Sequence, residues 1–203
     1  MAARNRNVFV NCPFDTAYQR FFNAIIFTVL RSGFRPRCAL ETDDSSENRF
    51  EKICSIIVKC RYGIHDISRT EPDTTTHLPR FNMPLELGVF LGAKRFGGRN
   101  QSAKRCLVLD ADRHRFRQFL SDLAGQDIHS HNRDLPTLIR EVAGWLRDQS
   151  RDPKVPGGRK IATEFEAFER ALPEICAQRG LAADELTFGD MTDLIAEYLA
   201  ATA

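Results

Sequence analysis

Residues 7 to 33 read NVFVNCPFDTAYQRFFNAIIFTVLRSG, and the order of residue types in this stretch decides the fold. Asn7 to Asn11 is a short β-rich run, and the turn Cys12, Pro13, Phe14, Asp15 opens a helix with Asp15 as its expected N-cap. Tyr18, Phe21, Phe22, Ile25, Ile26, Val29 and Leu30 recur by threes and fours, which makes one buried stripe, and Gly33 stops the helix. Outward from this unit the same alternation continues. A second strand is read at 34–40, a polar loop at 41–46, and a helix with Phe50, Ile53, Cys54, Ile57 and Val58 on one stripe. A third strand, 61–67, ends near Asp66; the polar segment 68–81 then leads to a helix from about Pro84 to Arg95. A fourth strand at 104–110, a helix around 116–123, a short edge strand at 127–131 and a helix carrying Leu135, Leu138, Ile139, Val142 and Leu146 complete the pattern.

Strands alternating with helices imply a parallel sheet covered on both faces, because each crossover helix packs back onto the sheet with right-handed sense. The expected class is α/β, a doubly wound, mostly parallel five-stranded sheet of flavodoxin-like order 2-1-3-4-5, spanning residues 1–148. Residues 149–159 hold two prolines and two glycines and read as a linker. Beyond it, Ile161, Phe165, Phe168, Leu172 and Ile175 form one helical stripe, and Met191, Leu194, Ile195, Tyr198 and Leu199 another. Two short helices cannot bury a core of their own, so the 160–203 appendage is expected to dock on the main domain or on another chain. Self-association or a protein partner through this appendage is the corresponding expectation.

The chain has 203 residues, 42% hydrophobic and 28% charged, with 15 Phe and a formal charge of +2. That is a globular balance with interspersed charge and no basic stripe, which argues against nucleic acid as a partner. The six cysteines include no C-x-x-C pair, and free thiols then serve as small apolar fillers. Residues 1–7 lack the apolar stretch of a signal peptide, and no run reaches the length of a membrane span. A cytoplasmic location is expected.

In a doubly wound sheet, a ligand meets the loops that follow the strands. Here those loops carry Asn11 to Asp15, Asp66 to Arg69 and the lead-in to Glu86. Pro84 suits a first helical position, which places Glu86 in the first turn. Spacing sets Glu86 beside Met83, Val89, Phe90 and Ala93, so its carboxylate points inward. Burial raises its pKa and the helix dipole lowers it. Two readings stay open, a reactive carboxylate or a Glu that caps its own helix. Gly88 permits close approach of a ligand, and the long loop before the helix is placed to cover a pocket. Arg69 and Arg80 flank this region, as phosphate grips or as solvated loop charges. Tyr18 stacks on a base or packs in the core; His65 reads as a core or rim residue before a base. His129 and His131 could share a strand face, yet no third metal ligand is evident. The sequence has neither a G-x-G-x-x-G after the first strand nor a P-loop.

An opening strand followed by Pro13-Phe14-Asp15, a third strand ending in Asp66, and a helix entering Glu86-Leu87-Gly88 resemble the nucleoside 2-deoxyribosyltransferase family over residues 7 to 148. The pattern is also similar to related nucleotide N-glycosidases and, more distantly, to TIR-domain NAD hydrolases. The resemblance implies that Glu86 attacks or stabilises the sugar carbon and that Asp66 binds or protonates the base. The family's Asp-x-Gly-Thr stretch before its Glu is replaced here by Arg80-Phe81-Asn82-Met83-Pro84. Cleavage of the N-glycosidic bond of a nucleotide or of NAD is the implied activity, without a cofactor and with NAD as substrate. Asn11, Pro13, Phe14, Asp15, Tyr18, Ser68, Arg69, Arg80, Asn82 and Met83 would hold the substrate. The added tail suits activation by assembly, as in TIR-like enzymes. The alternative is a non-catalytic nucleotide-sensing or interaction module of TIR-like fold.

Overall fold

The computed structural model describes residues 5–70, 77 and 79–202. Strands β1 (Asn7–Asn11), β2 (Arg35–Arg37), β3 (Tyr62–Asp66), β4 (Arg105–Asp110) and β5 (His129–Ser130) pair in parallel in the order β2-β1-β3-β4-β5. The class is the expected doubly wound α/β sheet with C-terminal helices. Chain direction reverses across the sheet between β1 and β3, which creates the crevice at their carboxyl ends.

Helices α1 (Gln19–Arg31) and α5 (Leu135–Ser150) cover one face, where Val8, Val10, Tyr62, Ile64, Leu107 and Leu109 meet Phe22, Ile25, Leu138 and Val142. Helices α2 (Arg49–Lys59) and α3 (Asn82–Phe96) cover the other, where Phe9 meets Ile53, Ile56, Ile57 and Phe90. The alternation of Val8, Phe9 and Val10 between two cores is the period of two of a strand buried on both sides. On the second face Gly63 does specific work: a Cβ there would lie 2.8 Å from the Phe90 ring and 2.8 Å from His65 Nε2. Its missing side chain is what lets α3 settle on β3. Asn48 caps α2, its side chain accepting from the amides of Phe50 and Glu51. At the other end of α2, buried Lys104 donates to the carbonyls of Ile57 and Cys60, each at 2.5 Å.

Several element boundaries differ from the sequence reading. Asp15 is not the N-cap of α1; its Oδ1 accepts from the Tyr18 amide at 3.1 Å and closes a separate turn, after which the helix starts at Gln19. β2 is only three residues long because a turn closes with the Glu41 amide on the Cys38 carbonyl. α3 starts at Asn82, two residues before Pro84. A helix leaves its first amides unpaired, so proline fits its third position as well as its first. Residues Gly97 and Gly98 end α3 and lead into one turn of helix, α4 (Arg99–Ser102). The helix expected around 116–123 is two 3-10 turns, Arg115–Gln118 and Ser121–Leu123. Residues 71–76 and 78 of the polar loop, including Pro72 and the three threonines, lie outside the described residues.

The appendage forms helices α6 (Gly158–Gln178) and α7 (Phe188–Ala201), and both dock on the α1/α5 layer. Phe165 and Phe168 are fully buried against the Phe27 ring, with ring centroids 5.4 and 5.5 Å away. Arg20 and Arg31 of α1 hold Glu169 and Glu164 of α6 in two-pronged pairs. Both tail stripes therefore enter the main core, and the linker is a tight connection of residues 151–157. Among the described residues no helix is long and apolar enough to cross a membrane.

Candidate functional site

The carboxyl ends of β1, β3, β4 and β5 bring four loops together around Asp66. Asp66 is fully buried, and its alternation with Tyr62 and Ile64 aims it at the α1/α5 face. Its Oδ1 accepts from the Ser68 amide at 2.8 Å, and its Oδ2 accepts from the Tyr18 hydroxyl at 2.6 Å. His131 Nε2 stands 3.2 Å from the same Oδ2, off the line of a formal hydrogen bond. Burial alone would push this carboxyl up, but His131, the Ser68 side chain and the Tyr18 hydroxyl outweigh it and hold Asp66 below the usual aspartate range. The group is an ionised, satisfied acceptor with no proton to give. Burial, followed by the Asp66 charge, pushes the Tyr18 phenol well up, so Tyr18 stays a donor.

His131 is held by unusual backbone. Asn132 and Arg133 are consecutive residues with positive φ, 53° and 54°. That left-handed pair turns the Arg133 amide onto His131 Nδ1 at 3.1 Å and lays the Asn132 amide on the Ala111 carbonyl at 2.8 Å. With Nδ1 accepting, the ring proton belongs on Nε2, facing Asp66. Strain of this kind persists where surrounding contacts determine it. Above the cluster lies a cavity of about 210 Å³ lined by Ala17, Tyr18, Phe21, Ser68, Arg69, Ala111, His131 and Arg133.

Glu86 sits on α3, on the other face of the sheet, and does not line this cavity. It is 8% exposed, one helical turn beyond Met83, whose carbonyl accepts from Asn11 Nδ2 at 2.9 Å. That bond fixes the start of α3 to the end of β1. As the fifth residue of α3, Glu86 lies outside the first turn, where there is no acidic residue and no side-chain cap. The self-capping reading is thereby removed. Burial pushes its carboxyl up to about 7 against the weaker pull of the Arg49 charge. Both carboxylates act on buried Cys12, whose thiol is raised by burial first and then by Asp66, Cys38 and Glu86.

The structure thus places the sequence-predicted substrate-binding residues in four settings. Tyr18, Ser68 and Arg69 line the cavity around Asp66. Asp15 forms the rim, pairing with Arg69 at 3.1 Å and with Arg80 at 3.5 Å, so both arginines are tied to it instead of standing as free phosphate grips. Asn11, Pro13 and Met83 are buried and Phe14 packs edge-on to Phe22 at 5.2 Å, so these four shape the loops from inside. Asn82 is exposed at the start of α3. Gly88 has open space around it, so it is not the site of close backbone packing. His65 is buried with its pKa pushed down to about 3 by desolvation; Asn11 Nδ2 contacts its Nδ1 at 3.0 Å, and it works as a neutral core residue.

The sequence reading weighed His131 only as a metal partner of His129 and Phe21 only as part of the α1 stripe, and it missed Arg133, although residues 131–133 follow β5 directly and so belong to the loops that converge on the crevice. Arg115 escaped too: it clasps Asp110 Oδ1 at 2.6 Å and the Ile67 carbonyl at 3.1 Å, joining the ends of β4 and β3. Among the described residues no group of three His, Cys, Asp or Glu is arranged to hold a metal ion. Compared with protein-family models, with curated proteins and with solved structures, the chain matches none.

Proposed function

We propose that the chain cleaves the N-glycosidic bond of a nucleotide or of NAD, with Glu86 as the carboxylate that captures or stabilises the cationic sugar carbon. The observation that carries this reading is the state of Glu86: a mostly buried carboxyl on α3, one turn beyond the Met83 carbonyl that Asn11 ties to the end of β1, raised to about 7 by desolvation, with no capping duty. A carboxylate that little solvated gains much from a positive charge developing beside it. The resemblance at Glu86-Leu87-Gly88 and Asp66 points to the same chemistry.

Within this reading Asp66 is a positioning residue. Already ionised and satisfied, it orients the Tyr18 hydroxyl and the His131 ring at the floor of the cavity, where the leaving base or its ribose would rest. A neutral leaving group such as nicotinamide needs no proton from the enzyme, which fits a floor without an acid. The test incubates the purified protein with NAD, nucleoside monophosphates and deoxynucleosides and follows free base by chromatography. Base release that disappears in Glu86→Gln is expected. No release from any of them, or equal release by the variant, would refute the proposal.

A further inference from the structure

The six exposed large hydrophobic side chains among the described residues, Leu40, Phe50, Val58, Phe81, Leu85 and Phe96, all fall between residues 40 and 96. Four lie on α2 and α3, with Phe96 88% exposed, Val58 57%, Leu85 55% and Phe50 45%. On α3 the buried row is Met83, Glu86, Leu87 and Phe90. The opposite row, Leu85, Gly88, Gly92 and Phe96, is also without charge, so the helix is apolar on both faces over most of its length. A helix of that kind is normally buried all round. The other helical layer, α1 with α5, is covered by this chain's own α6 and α7. The α2/α3 layer has no such cover among the described residues.

Charge along the layer says what fits. As successive crossover helices between parallel strands, α2 and α3 run side by side in the same direction. Their N-terminal end carries exposed Asp43, Asp44, Glu47 and Glu51, and their C-terminal end carries exposed Lys59, Arg95 and Arg99. None of Asp43, Glu47, Glu51, Lys59, Arg95 and Arg99 has an ion-pair partner within the described residues. Of the cations at the acidic end, Lys52 is held by the Thr42 carbonyl and Arg80 by Asp15, and exposed Arg49 leaves that end acidic on balance. A surface with opposite unpaired charges at its two ends complements itself when turned end for end. Gly88 and Gly92, with nothing within 4 Å of a Cβ at either position, leave a shallow saddle at the middle of α3.

We infer that the α2/α3 face joins two copies of this chain about a two-fold axis, α3 crossing the partner's α3 antiparallel over Gly88 and Gly92. Leu85 then packs toward the partner's Phe96, and Glu51 faces the partner's Lys59. This surface differs from the tail, whose stripes are spent inside the chain, and it does not depend on the proposed chemistry.

Sedimentation equilibrium of the full chain tests it. Twice the 23.1 kDa chain mass is expected at micromolar concentration. Leu85→Asp with Phe96→Asp should give the single-chain mass while far-UV circular dichroism stays unchanged, since both side chains are exposed. Glu51→Lys and Lys59→Glu should each weaken the dimer at least tenfold, and the double exchange should restore it. A single-chain mass for the unaltered protein overturns the inference. So does a dimer that survives Leu85→Asp with Phe96→Asp, and a charge pair whose double exchange restores nothing overturns the antiparallel arrangement.

Discussion

At Glu86 the needs of folding oppose those of the proposed chemistry. Its folded carboxyl titrates near 7 against an ordinary value of 4.5, so the fold favours the neutral form. That contribution is fully present below the ordinary value and is lost as pH rises through about 7. Above it, keeping the charge in place costs up to about 3 kcal/mol. Glu86→Gln, neutral at every pH, is therefore expected to melt higher than the unaltered chain at pH 8 and at nearly the same temperature at pH 5, which thermal denaturation at the two values checks. Asp66 shows the reverse sign. Its depressed pKa adds stability above the ordinary aspartate range, and that stability is lost as pH falls through the folded value. Tyr18→Phe removes the 2.6 Å donor to this carboxylate and should cost about 1.5–3 kcal/mol in urea unfolding at pH 7. The difference should shrink in acid. The inward aim of Glu86 was legible because helical spacing decides which neighbours a side chain meets. The Tyr18, Asp66 and His131 cluster was not, because it joins residues from three distant loops, and sequence spacing says nothing about such meetings.

At the scale of elements, two glycines separate packing from approach. Gly63 has Phe90 and His65 where a Cβ would go, so Gly63→Ala should cost roughly 1–3 kcal/mol by overpacking. Gly144, within α5, has nothing within 4 Å of a Cβ, and Gly144→Ala should gain about 0.5–1 kcal/mol from helix propensity, read by the same unfolding measurement. A glycine in a strand and one in a helix carry opposite signs here although the sequence shows only the letter. The α3 boundary has a similar cause: proline marks the first turn of a helix without fixing which of its positions it holds. Moving the start to Asn82 put Glu86 beyond capping reach.

For the whole molecule, the parallel sheet covered on both faces followed from alternation and handedness, its strand order rested on analogy with flavodoxin-like sheets, and the apolar stripes of the tail followed from their period. Their destination did not, because a stripe records that something must cover it and not what. The tail is part of the core: Phe165→Ala should cost about 3–5 kcal/mol in equilibrium unfolding, as expected of a phenylalanine with no exposed surface. A loss under 1 kcal/mol would mean that α6 docks only loosely in solution.

The central claim, that Glu86 reacts as a carboxylate in a poorly solvated crevice, is met most directly by the pH dependence of base release from NAD or a nucleoside monophosphate. Release should climb as pH rises from 5 and level off above about 7, following ionisation of Glu86, and should be absent throughout in Glu86→Gln. A rate that is flat from pH 5 to 9, or a Glu86→Gln variant with the same profile as the unaltered chain, would contradict it.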